Sequence, residues 1–255
     1  MNNIITYIKD QIKDNVDIAV VTGSGLSDLK NILDNSIVIN YSDIPGYFKT
    51  TVQGHDGSFY FGNFEGKKIL IAVGRFHYYE GLSLENVGLP IKIFKNLGCQ
   101  KIILTNSAGC LKPTWNLGDI MIVNGHYDFT FRKSAKNPQL IEGENYYNLD
   151  WINQASKIHQ NIRIGKYGWV LGPMYETKAE IINMQNQGVS AVGMSTVPEI
   201  MMASKLNIDL LVLSLMSNYG VGLTQDTLTH QRVLDNSIKY NQHFKLVLIS
   251  ILSDI

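Results

Sequence analysis

Ile69-Leu70-Ile71-Ala72-Val73, followed by Gly74-Arg75-Phe76-His77-Tyr78-Tyr79-Glu80-Gly81, sets the class of this chain. The first five residues have the length and branching of a buried strand. A glycine ends the run, and Arg75, His77 and Tyr79 then occupy every second position. An extended backbone there puts the three side chains on one side. A guanidinium, an imidazole and a phenol at a strand's end suit an anion with a hydroxylated body, since arginine forks onto phosphate oxygens and histidine adds a donor. Taken alone, the octet also fits an edge strand whose charge is solvated and whose aromatics fill a neighbouring groove.

Similar strands lie on both sides of it. Ile4, Ile5, Ile8 and Ile12 recur at helical spacing and predict an amphipathic opening helix. Residues 17–21 predict a buried strand running into Thr22-Gly-Ser-Gly-Leu26, a turn able to offer backbone N–H groups and a hydroxyl to an anion. It is not a dinucleotide fingerprint, because Asp28 stands where a third glycine belongs. Glycines there also serve a plain tight turn. Residues 36–40 are strand-like, and His55 sits between Gly54 and Gly57 in a loop. Residues 58–64 and 68–73 predict a hairpin turning at Glu65-Gly66. Residues 83–97 carry Leu84, Val87, Ile91 and Phe94 on one face and predict a single helix closed by Gly98.

Further along, residues 101–105 predict a strand ending in Asn106-Ser-Ala-Gly109, and 119–124 predict another. Residues 127–148 carry no assignment. A short helix over 150–161 and a strand over 167–171 follow. Thr177-Lys-Ala-Glu180 matches a capping box opening a helix to about residue 187. Residues 189–192 form a short strand before Gly193-Met-Ser-Thr-Val-Pro-Glu199. There Thr196 and Glu199 read as a second capping box and Pro198 fits a first turn. Ser195 then precedes a helix N-terminus, which favours an anion. Residues 209–215 predict a strand ending at Met216-Ser-Asn218, and 227–252 a last helix. Strands alternating with helices define an α/β class, expected to form one domain over 1–255.

Composition narrows the partners. Lys+Arg and Asp+Glu balance at 22 each, so no basic field points to nucleic acid or an anionic membrane. Six histidines show no metal-ligand spacing, and two cysteines, Cys99 and Cys110, are expected as reduced thiols. No basic region with an apolar core opens the chain, and no apolar run nears the ~20 residues that span a bilayer. A cytoplasmic enzyme or binding protein is expected.

Ser24, Arg75, Asn106, Glu176, Ser195 and Asn218 each follow an apolar strand. Ligands of open α/β sheets sit at the carboxyl ends of strands, so these residues are predicted to share one crevice. At this point a resemblance emerges. Thr22-Gly-Ser-Gly-Leu26, Gly54-His-x-Gly57, the octet at 74–81, Thr105-Asn-Ser-Ala-Gly109 with Gly118-Asp-Ile120, Gly172-Pro-Met-Tyr-Glu-Thr177, Gly193-Met-Ser-Thr-Val-Pro-Glu199 and the strand ending at Asn218 run in family order. Together they are similar to the trimeric purine nucleoside phosphorylases, of the purine nucleoside and methylthioadenosine phosphorylase family.

The resemblance implies a central mixed β-sheet flanked by helices and a homotrimer. It implies phosphate binding by Ser24, Arg75, His77 and Ser195, with backbone from Ser107 and with His55 on a closing loop. Tyr79 and Met194 would border the ribose and His230 would reach its 5′-hydroxyl. Glu176 and Asn218 would hold the base, with Tyr175 packing on it; His77, Glu176 and Asn218 are the implied catalytic set. No metal or cofactor is implied; inorganic phosphate is a co-substrate. Cleavage at the anomeric carbon passes through an oxocarbenium-like sugar, as in glycoside cleavage. Phosphate held beneath it both stabilises that cation and attacks it. A carboxylate accepts from N1–H, which 6-oxopurines have and adenine lacks, and an amide can donate to N7, so inosine and guanosine are the expected substrates.

Three departures bear on selectivity. The 126–167 segment is shorter than usual in the family and lacks a Gly-Gln-Asn-Pro run; Phe129 or Phe131 stands in for the aromatic that relatives pass to a neighbouring subunit. Tyr175 replaces a common phenylalanine, and the flanks of Asn218 differ. Alternatives are a methylthioadenosine or xanthosine phosphorylase, or a non-catalytic nucleoside-binding protein.

Overall fold

The computed structural model describes residues 1–48, 57–132, 136–225 and 228–255. β1 (Ile18–Thr22) has all five residues buried and pairs in parallel with both β4 (Lys67–Val73) and β5 (Lys101–Cys110). Burial on both faces is why its sequence is apolar without alternation. β3 (Ser58–Phe64) turns into β4 at Glu65-Gly66, both with positive φ (48° and 81°), as tight hairpins require. β2 (Asp34–Asn40) adds an edge strand on β3.

On the other side stand β10 (Asp209–Tyr219), β6 (Ile120–Asp128), β8 (Ile162–Trp169) and β9 (Ala191–Gly193), with β7 (Leu140–Glu142) paired to β6. The order is β10-β6-β8-β9-β5-β1-β4-β3-β2, and β10 also pairs with β5. That pairing closes β5, β10, β6, β8 and β9 into a circuit, so one end of the mixed sheet curls on itself.

Helices cover the sheet. α1 (Asn2–Ile12) buries Ile4, Ile5, Ile8 and Ile12 as the spacing predicts. The predicted helix over 83–97 is two, α2 (Leu84–Val87) and α3 (Leu89–Asn96), broken at Gly88. Pro90 has no N–H for the preceding turn, which explains the break. α4 (Leu149–Ala155) is shorter than predicted, and β8 starts earlier. α5 (Lys178–Asn186) opens on the predicted capping box, with Glu180 N–H donating to Thr177 Oγ1 at 3.3 Å and Thr177 N–H to Glu180 Oε2 at 2.7 Å. α7 (His230–Ser253), capped by Thr229, packs Phe244, Val247, Leu248 and Ile251 inward.

Among the strands that outrun their predicted ends, β5 and β10 do so together. β5 continues through Asn106-Ser-Ala-Gly109 and β10 through Asn218, because their polar residues still find ladder partners on each other. The unassigned 127–148 segment contains the end of β6 and β7; residues 133–135 lie outside the described ones.

The second predicted capping box is incomplete, with the Thr196 amide reaching Glu199 but no cap from the Thr196 side chain. Thr196 precedes α6 (Val197–Lys205) with φ 77°. Glu199 also meets Arg75, whose Nη2 lies 3.0 and 3.2 Å from its two oxygens. Both residues are 1% exposed. Arg75 Nη1 also donates to Thr105 O at 2.6 Å, so one guanidinium ties the end of β4 to β5 and α6. Burial raises the Glu199 pKa while Arg75 and the Thr196 amide pull it down. Removing one partner leaves the other charge buried. Glu199→Ala is therefore expected to lower unfolding free energy by about 3–5 kcal/mol. Urea unfolding measures this, and a loss near zero would mean that the pair holds nothing together.

Candidate active site

Each site residue predicted from the sequence, where it is among the described ones, lines one cleft. The elements that deliver them are the carboxyl ends of parallel strands and the turns after them. Gly23 and Ser24 follow β1; Arg75 and His77 follow β4; Asn106 and Ser107 lie within β5. Met194 and Ser195 follow β9, Tyr175 and Glu176 precede α5, Asn218 ends β10, and His230 opens α7. His55 falls outside the described residues.

Close backbone approach builds the floor. A Cβ on Gly23 would lie 2.7 Å from Asn106 Cα, so the turn after β1 can press on β5 only as glycine. Ser107 Oγ then bonds Ser24 O at 2.8 Å, fixing the same turn.

The anion end differs from its sequence reading in charge. Arg75 was expected to fork onto a ligand, but one edge of its fork is taken by Glu199; its Nε is buried without a partner among the described residues. His77 has its pKa lowered by burial, which outweighs its hydrogen bond to the Glu80 carboxylate that raises it. Glu80 Oε1 accepts from the His77 amide at 2.7 Å and lies 3.2 Å from Nδ1, which orients the ring. A tightly held ring and a half-used guanidinium leave an anion end rich in donors with little unpaired charge.

The predicted alternation also fails past His77. Tyr79 sits in a 3-10 turn, Tyr78–Glu80, yet it reaches the cleft because its ring stacks on His77 at 4.8 Å. Burial pushes its phenol up to about 12, so it stays a neutral hydroxyl.

At the far end, Asn218 stands where β10 slips register against β5, an irregularity of the kind that re-aims a side chain. Its Nδ2 donates to Tyr219 O at 3.0 Å and its Oδ1 accepts from Ser217 Oγ at 2.9 Å. Glu176 is 9% exposed, and burial raises its pKa, with its own backbone amide opposing and Glu180 reinforcing the rise. A carboxylate and a carboxamide thus face a partly apolar chamber that includes Val192 and Val233.

Sequence reasoning missed four polar groups here. Glu80 and Glu199 orient His77 and Arg75. A His-x-x-Glu spacing at the strand's end could have indicated Glu80. Nothing local could have paired Glu199 with Arg75. Thr196 meets both Ser195 Oγ and Asn106 Nδ2 at 3.0 Å. Tyr167 is buried, and a Cβ on Gly193 would come within 2.2 Å of its hydroxyl, which explains that glycine. Among the described residues no cluster of three or more His, Cys, Asp or Glu side chains is placed to hold a metal ion, and no helix is long and apolar enough to cross a membrane.

Comparison with known proteins agrees with this geometry. The sequence profile of the phosphorylase superfamily matches residues 17–253. The chain is similar to purine nucleoside phosphorylase 1 of Bacillus subtilis, 34% identical over 253 residues that cover 94% of this chain and 93% of that one. It is 33% identical to the purine nucleoside phosphorylase of Bos taurus over 86% of this chain and 82% of that one. In structure it is similar to the Schistosoma mansoni purine nucleoside phosphorylase crystallised with inosine, with a TM-score of 0.89 at 28% identity, covering 100% of this chain and 95% of that one. Its sheet and its sequence agree in this along almost their whole length, and the chain belongs to the phosphorylase superfamily.

Proposed function

We infer that this protein cleaves purine nucleosides by phosphorolysis, releasing free base and ribose 1-phosphate. The observation that carries the reading is the convergence of an anion end and a carboxylate–carboxamide end in one cleft. Phosphate sits among Ser24, Arg75, His77 and Ser195, with the Ser107 backbone beside them. Held there, it is a nucleophile already oriented toward the anomeric carbon. Donors grouped around it need no reorganisation as charge shifts. Tyr79 and Met194 border the sugar and His230 meets its 5′-hydroxyl.

The base lies between Glu176 and Asn218 on Tyr175. Ionised Glu176 accepts from N1–H of a 6-oxopurine, and Asn218 donates to the purine as it leaves with negative charge. Solved relatives support inosine and guanosine as substrates: Schistosoma mansoni purine nucleoside phosphorylase has been crystallised with inosine, and a Schistosoma enzyme with guanosine. Schistosoma mansoni purine nucleoside phosphorylase has also been crystallised with adenosine, so 6-aminopurines belong in any test.

The protein works as a homotrimer in the cytoplasm, on this reading. Of the two aromatics considered for a neighbouring sugar pocket, Phe129 is 6% exposed and committed to its own core. Phe131 is 50% exposed and is the one able to reach another subunit.

Inosine and guanosine should yield base only with inorganic phosphate present, read by chromatography of base and sugar phosphate; equal release in phosphate-free buffer would refute phosphorolysis. Light scattering should give about three times the chain mass of 28.6 kDa, and a fully active monomer would exclude the trimer. Asn218→Asp should lower kcat/KM for inosine by roughly 10²–10³, the scale of one preorganised donor. Adenosine should suffer less, so the preference moves toward the amine. An unchanged inosine-to-adenosine ratio would remove Asn218 from the base.

A further inference from the structure

Three buried polar side chains stand in a row at the anion end. Asn106 Nδ2 donates to Thr196 Oγ1 at 3.0 Å, and Thr196 Oγ1 lies 3.0 Å from Ser195 Oγ. Asn106 and Thr196 are each 1% exposed and Ser195 is 8% exposed, so bulk water does not satisfy them. An amide nitrogen donates and does not accept. Thr196 therefore accepts from Asn106, and its own proton needs another acceptor. Among the described residues its remaining partner is Ser195 Oγ. A buried hydroxyl proton left without an acceptor is costly, so Thr196 donates to Ser195. The Ser195 proton is then left to point into the cleft that Ser195 lines.

The backbone agrees that this arrangement is imposed. Thr196 has φ 77° and ψ −44°, a conformation that a β-branched residue avoids. Such a position persists where its surroundings over-determine it, and it marks functional sites. The Tyr167 hydroxyl lies behind Ser195, buried, and burial pushes its pKa up to about 12 while Ser195 pulls it down, so it stays neutral.

We propose that Asn106 and Thr196 are positioning residues, forming a one-way donor relay that turns the Ser195 hydroxyl toward a bound phosphate oxygen. This deepens the phosphorolytic reading above and rests on it. The relay takes its direction from the Asn106 amide, whose nitrogen faces Thr196 while its buried oxygen has no partner among the described residues. A carboxylate at 106 would only accept, so it would draw the Thr196 proton backwards and turn the Ser195 lone pairs toward the anion.

The test is steady-state kinetics with phosphate and inosine varied separately. Thr196→Val keeps the shape and removes the hydroxyl; its phosphate KM should rise roughly ten- to hundredfold, the scale of one buried hydrogen bond left unmade. Its inosine KM should stay near that of wild type. Thr196→Ser restores the hydroxyl and should restore the phosphate KM. Asn106→Asp should raise it at least as far as the valine variant. If the valine variant does not fold, the serine and aspartate variants still decide. A serine variant as impaired as the valine one, or an aspartate variant with an ordinary phosphate KM, overturns the relay. An unchanged phosphate KM in Thr196→Val, in an enzyme whose wild type requires phosphate, overturns the relay alone. Base release by wild type without phosphate overturns the phosphorolytic reading and the relay with it.

Discussion

A guanidinium and a carboxylate sealed together under the carboxyl edge of the sheet set the position of everything around them. Taking two charges out of water is expensive, and their attraction repays it only when geometry is good and the remaining hydrogen bonds are made. Arg75 and Glu199 meet the first condition with a two-oxygen contact, and the bond to Thr105 O helps meet the second. The contact joins three elements far apart in sequence. It places His77 two residues beyond Arg75, and it fixes the start of α6, before which Ser195 and Thr196 stand. The anion end is thus assembled around an ion pair that is mostly consumed by the fold.

That consumption shapes the electrostatics. A site with a free cation attracts anions over long distances and loses strength in salt. Here the cation is partnered, the imidazole is pushed toward its neutral form, and what remains is oriented N–H and O–H groups. Preorganised dipoles of this kind stabilise charge where it develops and lose nothing to reorientation. The base end repeats the pattern, with Glu176 largely withdrawn from water and an amide whose own hydrogen bonds hold it in place.

Much of this was legible in the residues. Apolar runs located the strands, since burial on both faces leaves no alternation to blur them. The Glu65-Gly66 hairpin and the Thr177–Glu180 box were legible because their chemistry is local. The misread helix over 83–97 has a local cause in Pro90, whereas the failures at Thr196–Glu199, β5 and β10 share a distant one. The Thr196–Glu199 spacing is a correct local motif partly overridden by Arg75, which lies far away in sequence. The ends of β5 and β10 were read as loops because polar residues normally stop a strand, and only their mutual pairing keeps them extended. The cleft's residues were found through the order of strands and a family resemblance, whereas its supporting groups, Glu80, Thr196 and Tyr167, touch side chains and carry little sequence pattern of their own.

The closed circuit of strands has a consequence for how the molecule comes into being. Asp209 pairs with Lys101 across the whole middle of the chain, and β10 comes after every other described strand in chain order. Closing so long a loop is entropically slow, and its reward arrives only when the partner strand docks. A growing chain can form the β3–β4 hairpin and pair β1 with β4 early, but it has no β10 to complete the curl and no Asn218 or His230 to finish the cleft. Ligand affinity is therefore a property of the finished polypeptide, and a bound nucleoside would stabilise the fold by holding its two most distant halves together.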